Sequence, residues 1–115
     1  MKQKKITKKE LKKLEKREMN KKDKEWREIV KKRDNSKCVI CGRTDIIHCH
    51  HIIPREDKRF RWNINNGLCL CPKNHKYSYE ISPHKNAFAF FIWMIENRLE
   101  QFNKLIKLWG VVNEK

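Results

Sequence analysis

Three short stretches of this 115-residue chain carry residue types that do metal and proton chemistry at close spacing. They are Cys38-Val39-Ile40-Cys41, then His50-His51-Ile52-Ile53-Pro54, then Asn66-Gly67-Leu68-Cys69-Leu70-Cys71 running on to His75. Two cysteines three positions apart across a tight turn form a clamp for a soft cation, with Gly42 free to take a positive φ. A neutral imidazole, whose ordinary pKa is ~6.5, either ligates a divalent metal or takes a proton from water at neutral pH. Adjacent histidines on a strand point to opposite faces, so His50 and His51 need not compete for one task. Hydrolysis of a phosphodiester asks for this combination. Water must lose a proton, and the charge on phosphate and leaving oxygen must be offset, which a divalent cation does as a Lewis acid.

The elements that must hold these groups can be read around them. Residues 46–53 are β-branched at both ends and predict a strand stopped by Pro54, with a second strand at 68–71. Pro72 then opens a short helix carrying His75. Upstream, Thr7-Lys8-Lys9-Glu10 fits a capping box, and nothing breaks the following helix before Arg33. Its apolar residues are sparse until Trp26, Ile29 and Val30, whose spacing gives the helix one face to bury. Asp34-Asn35-Ser36 ends it. Downstream of Ser82-Pro83, one long helix is expected over 85–109. Phe88, Phe91, Ile95, Leu99, Phe102, Leu105/Ile106 and Trp109 form its core-facing stripe, and Gly110 stands at its C′ position. Apolar surface left uncovered would meet the N-terminal helix or a second copy of the chain.

Composition narrows the partner. Lys and Arg number 29 against 14 Asp and Glu, a net charge of +15. Residues 1–33 hold 16 of the basic and 6 of the acidic residues, so most of the excess lies at one end. Such a balance points to a polyanion, most simply nucleic acid. For residues 1–22 the reading stays open between backbone contact and a lysine-rich solubilising tail. From 23 onward contact is expected, through Arg27 and Lys31. Arg55, Lys58, Arg59 and Arg61 cluster beside the histidine pair and would grip phosphates on either side of a cut. The mean hydropathy is −0.94 and the longest apolar run, Ala87 to Ile95, is nine residues, too short to span a bilayer. The basic N-terminus has no apolar stretch behind it, which reads as no secretory signal. Five cysteines, an odd number, argue for a reducing compartment over a disulfide framework.

Taken together and in order, these pieces resemble the HNH endonuclease family, the ββα-metal nucleases. The shared features are His-His-Ile-x-Pro, an Asn fifteen residues past the second His, a His nine residues beyond that Asn, and Cys-x-x-Cys upstream with a further Cys before the last His. The resemblance covers residues 26–84. It implies an α+β fold, a small ββα-metal centre flanked by a basic N-terminal helix (1–25) and a long amphipathic C-terminal helix (85–115) packed on the core. It implies His51 as general base, Asn66 as the brace that orients it, and His50 and His75 as ligands of one Mg²⁺, Mn²⁺ or Ni²⁺. There are two departures from the family pattern. Asn74 stands where a fourth cysteine would precede His75. A structural Zn²⁺ on Cys38, Cys41 and Cys71 would therefore need water, Asn74 or a nearby thiol, and an unmetallated knuckle is the alternative. Cys69 is expected on the opposite side of its strand, and Cys49 off the face of His50. Tyr79 occupies the place of a third histidine, leaving His84 as a third ligand, a phosphate contact, or a surface residue at a helix start.

The implied activity is that of a metal-dependent DNA endonuclease, phage or bacterial and cytoplasmic, bound mainly to the DNA backbone. One centre per chain would nick one strand, and a homodimer would make double-strand cuts. The rival is a non-catalytic zinc-knuckle DNA-binding module, which has no use for His51 or Asn66. A Cys-x-x-Cys oxidoreductase is disfavoured, because the pair lacks the helix N-terminus that lowers a thiol pKa.

Overall fold

The computed structural model describes residues 5–114, so residues 1–4 of the basic extension and Lys115 lie outside the description. Thr7 caps helix α1 (Lys8–Arg33), its hydroxyl accepting from the Glu10 amide at 3.1 Å. The helix runs unbroken through the basic stretch and ends at Asp34. Asn35 and Ser36 follow with φ of 57° and 53°, a left-handed turn at the triplet expected to end the helix. Trp26 and Val30 are buried and most of the rest of α1 is exposed. The helix is therefore docked by its last two turns and solvated before them.

Strand β1 (His48–His51) pairs antiparallel with β2 (Gly67–Leu70), with His48 opposite Leu70, Cys49 opposite Cys69, His50 opposite Leu68 and His51 opposite Gly67. Alternation along β2 sorts its side chains between two small cores. Cys69 packs with Trp26 and Val30 on the α1 side, while Leu68 and Leu70 pack with Cys38, Cys71, Phe90 and Met94 on the other. Gly67 marks the closest approach of α1 to the sheet. A Cβ there would come within 2.5 Å of the Trp26 ring and 2.9 Å of a Val30 methyl. The loop from Pro54 buries Phe60 and closes with a single 3-10 turn, Ile64–Asn66.

After β2 the chain makes one wide helical turn, Lys73–Tyr77, in which the Ser78 amide donates to the Lys73 carbonyl five residues back at 2.8 Å. Turns of this kind place an extra residue per turn and recur at functional sites.

The C-terminal region corrects the expectation of one long helix. It is two, α2 (Ala87–Asn97) and α3 (Leu99–Val112), and Gly110 lies inside the second. The break is at Arg98, whose backbone leaves helical angles (φ −137°, ψ 39°). Its guanidinium donates to Asp34 at 2.9 Å and to Gln101 at 3.1 Å. Asp34 is a buried carboxylate. It also takes two bonds from Arg33, both 2.9 Å, and one from the Cys69 amide at 3.0 Å. A buried carboxylate needs charged partners, and bringing Arg98 to it interrupts the helix. The inward stripe also differs from the expected one. Phe90, Met94, Gln101 and Leu105 are buried, while Phe88, Ile95, Leu99, Ile106 and Trp109 are about half exposed or more.

Candidate active site

β1 delivers its last two residues, His50 and His51, to different neighbours. His51 stacks flat on the Trp26 indole, ring centroids 3.9 Å apart and planes 6° from parallel. Its Nε2 lies 2.9 Å from the Arg61 carbonyl oxygen. A carbonyl only accepts, so Nε2 carries the hydrogen and Nδ1 is left with its lone pair. Burial lowers the pKa of this ring, partly opposed by the bond to the Arg61 carbonyl, so it is neutral at pH 7.

Asn66, fully buried, ties the loop that supplies that carbonyl. Its Oδ1 accepts from the Ile53 amide at 2.6 Å, and its Nδ2 donates to the carbonyls of Ile53 (3.0 Å) and Phe60 (3.1 Å). The side-chain-to-backbone bracing expected of Asn66 is in place, one residue from the carbonyl that holds His51.

His50 points the other way, into a cluster of imidazoles. Its Nδ1 is 3.0 Å from Nε2 of His75, which is in turn 2.9 Å from Nε2 of His84. The three ligand atoms lie within 4.8 Å of one another. Each ring nitrogen offers one lone pair or one hydrogen in the ring plane, so a proton can bridge only one pair of the three. A cation would satisfy all of them, and the two short separations match the spacing of about 3 Å between neighbouring nitrogens bound octahedrally at ~2.1 Å. Two of the donors, His50 and His75, are also in the form a metal takes. Burial, then His75 and His84, hold His50 down to about 3. Burial, then His84 and His48, hold His75 down to about 4. Nitrogen donors from a strand, a turn and the following loop thus fit a divalent ion.

A second group, Cys38, Cys41 and Cys71, also brings its ligand atoms within 4.8 Å. Cys41 and Cys71 sulfurs are 3.6 Å apart. Burial opposes ionisation of Cys38. The Asn74 amide and the backbone amides of Cys41, Cys71 and Ile40 outweigh it, bringing the thiol down to about 7. Asn74 Nδ2 is 3.4 Å from that sulfur, donating to it, so Asn74 occupies the fourth place as a hydrogen-bond donor. Cys69 is on the far side of the sheet with Trp26, as its position on the strand predicts. Thiolate donors fit a soft cation such as Zn²⁺.

His50, His51, His75 and His84 open on one cleft of about 720 Å³. Arg27, Arg55 and Arg61 are also on its walls, whereas Lys31, Lys58 and Arg59 are not. Arg61 is committed elsewhere. It donates to both oxygens of Asp23 (2.9 and 2.7 Å), which also accepts from the Trp62 indole at 2.8 Å. Arg59 pairs with Asp57 and Asn113. Arg27, Arg55 and Lys76 line the cleft and have no side-chain ion pair among the described residues.

Two participants escape a motif-based reading. His48 Nδ1 is 3.1 Å from Nδ1 of His75, against the ring edge that faces away from the cluster. The signal for it was strand alternation, which puts His48 and His50 on one face. Trp26 was legible as a docking residue, but no local pattern joins it to a ring 25 positions away.

An antiparallel hairpin leading into a helical turn, with imidazoles converging from strand, turn and loop, is an α+β centre of the ββα-metal type. Residues 38–78 match the family model described as HNH endonuclease (HNH_2). No curated protein and no solved structure matches the chain. All of α1 and the α2–α3 region fall outside the matched residues.

Proposed function

We propose that the chain is a metal-dependent endonuclease that hydrolyses phosphodiester bonds of DNA, with His51 as general base. The observation that supports this best is the division of labour at β1. One imidazole, lining the cleft, is held neutral with Nδ1 free, and its neighbour joins two further imidazoles in a set of three nitrogens suited to a cation. His50, His75 and His84 would hold the ion. When bound, it would offset charge on the scissile phosphate and the leaving oxygen.

The remaining work falls to the protein's own groups. Trp26 and the Arg61 carbonyl fix the plane and tautomer of His51, and Asn66 fixes the loop behind that carbonyl. Nδ1 then takes a proton from the attacking water. Arg27 and Arg55 hold phosphates beside the cut through charge, without reading bases. The knuckle of Cys38, Cys41 and Cys71 would bind Zn²⁺ and anchor the segment before β1 to the turn after β2. One centre cuts one strand. A second copy would be needed for double-strand cuts, and Phe88, Ile92 and Ile95 offer exposed apolar surface for one.

The test is nicking of supercoiled plasmid with Mg²⁺, Mn²⁺ or Ni²⁺, wild type against His51→Ala. Metal-dependent nicking lost in the variant is the expected result. DNA bound but never nicked with any of the metals would leave only the non-catalytic zinc-knuckle module.

A further inference from the structure

We infer that one face of α1 is a track for the backbone of duplex nucleic acid, running outward from the cleft and lying largely beyond the family-matched segment. It rests on the nuclease reading for its partner but on separate observations for its location.

The helix is continuous from Lys8 to Arg33, and its C-terminal turns are fixed by buried Trp26 and Val30 and by the Asp23–Arg61 pair. The direction of the solvated half is therefore set relative to the cleft. Eighteen residues make five turns, so Lys9 lies directly in line with Arg27, a cleft wall. Lys13 and Lys16 fall within about 40° of that line. A shallow groove lined by Lys8, Lys9, Lys12, Lys13 and Lys16 overlaps this face, with Lys12 and Lys8 about 60° and 100° to one side of the line, away from Glu10 and Glu28.

The acidic residues of α1 are segregated from it. Glu10, Glu15, Glu18, Glu25 and Glu28 all lie about 100° or more from the line. Asp23, nearer to it, is neutralised by Arg61. Such sorting costs the free protein stability, because Lys8, Lys12 and Lys16 and again Lys9, Lys13 and Arg17 stack like charges at i,i+4 spacing. A solubilising tail gains nothing from that arrangement, whereas a row of phosphates relieves it. From Arg27 to Lys9 the track is about 27 Å long at 1.5 Å per residue, or about 8 base pairs of duplex at 3.4 Å.

The test compares two triple variants of the full chain, Lys9/Lys13/Lys16→Gln on the track and Lys21/Lys22/Lys32→Gln off it. Glutamine keeps helix propensity, and circular dichroism checks that α1 persists. Equilibrium binding to a duplex of about 30 base pairs, in Ca²⁺, is followed over a range of salt. The track variant should lower the slope of log K against log salt by about 2.7, roughly 0.9 for each phosphate that is no longer neutralised, and the off-track variant by under 1. At saturating DNA the track variant should nick at the wild-type rate with a raised KM. Equal slope changes in the two variants, or none in the track variant, would overturn the track. If wild type binds but never nicks, the catalytic reading fails while the slopes still decide the track.

Discussion

The same pair of strands serves two clusters of metal-type donors that are built in opposite ways. Cys38 is surrounded by amides pointing inward, from Asn74 and from the backbone of Cys41, Cys71 and Ile40, so its surroundings support negative charge on that sulfur. His50, His75 and His84 have no such support. Burial and the neighbouring imidazoles keep His50 and His75 neutral, and all three rings open on a cleft that His51 shares. A soft thiol set with two of its three members buried suits a permanent ion that ties chain segments together. A nitrogen set on an open cleft leaves positions for water and substrate, which is the distinction between structural and catalytic sites in general. Under the proposed nuclease activity, the first cluster would serve stability and the second catalysis.

The largest expected effect separates them most cleanly. His51→Ala should cut the nicking rate about 10²- to 10⁴-fold, the range for losing a general base, with the thermal midpoint and metal content unchanged. Cys71→Ser should do the reverse in order of cause. The melting midpoint should fall and the protein should lose one equivalent of zinc, with activity lost only at temperatures where the fold is lost. A variant that stays fully folded yet stops nicking at 20 °C would break the assignment of the knuckle to structure.

A smaller effect sharpens the imidazole side. His48 touches only the far nitrogen of His75, a position that fixes the ring and tautomer of a ligand from behind. His48→Phe should weaken Mn²⁺ affinity about 10- to 100-fold without moving the melting midpoint, and His48→Asn should restore part of it. Unchanged affinity by titration calorimetry would show that His75 needs no such support.

The joint between the two regions yields two more tests. Gly67→Ala puts a methyl against Trp26 and Val30, neither of which can swing away. Overpacking of this kind costs about 1–3 kcal/mol, readable from urea unfolding. Because Trp26 is the floor under His51, the nicking rate should fall with it even where the protein remains folded. Asp34 gives the smallest effect and a pH signature. Burial raises its pKa, but bonds from Arg33, Arg98 and the Cys69 amide outweigh that and hold it below the ordinary carboxylate value. A depressed folded value means that its contribution is complete above about pH 4 and is lost as pH falls through the folded value. Asp34→Asn should flatten the acid limb of stability against pH below about 4, measured by urea midpoints.

What the sequence disclosed, and what it withheld, follows the range of the interactions. Cys38, Cys41, His50, His51, Asn66, Cys71 and His75 are legible because two short strands and two turns fix their spacing. The convergence of His84 on His75 agrees with the reading as a ligand but needed the path of the loop through Ser82, whose hydroxyl donates to the His75 carbonyl at 2.5 Å. The inward face of α2 was not legible, since Ala87–Asn97 is apolar nearly all round and any stripe can be drawn on it. Nor was the break at Arg98, because its cause is a carboxylate 64 positions earlier. Arg61 reads as a phosphate ligand by proximity, but its partner Asp23 is 38 positions distant.

The wide turn at 73–77 couples the two halves of this comparison. Asn74 and His75 are consecutive and both buried, yet one serves the sulfur cluster and the other the nitrogen cluster. Their phase relationship is set by the number of residues in a single loop of chain. Exchange of the exposed side chains Lys73, Lys76 or Tyr77 leaves that phase intact, whereas inserting or deleting one residue would misalign both centres in a single step.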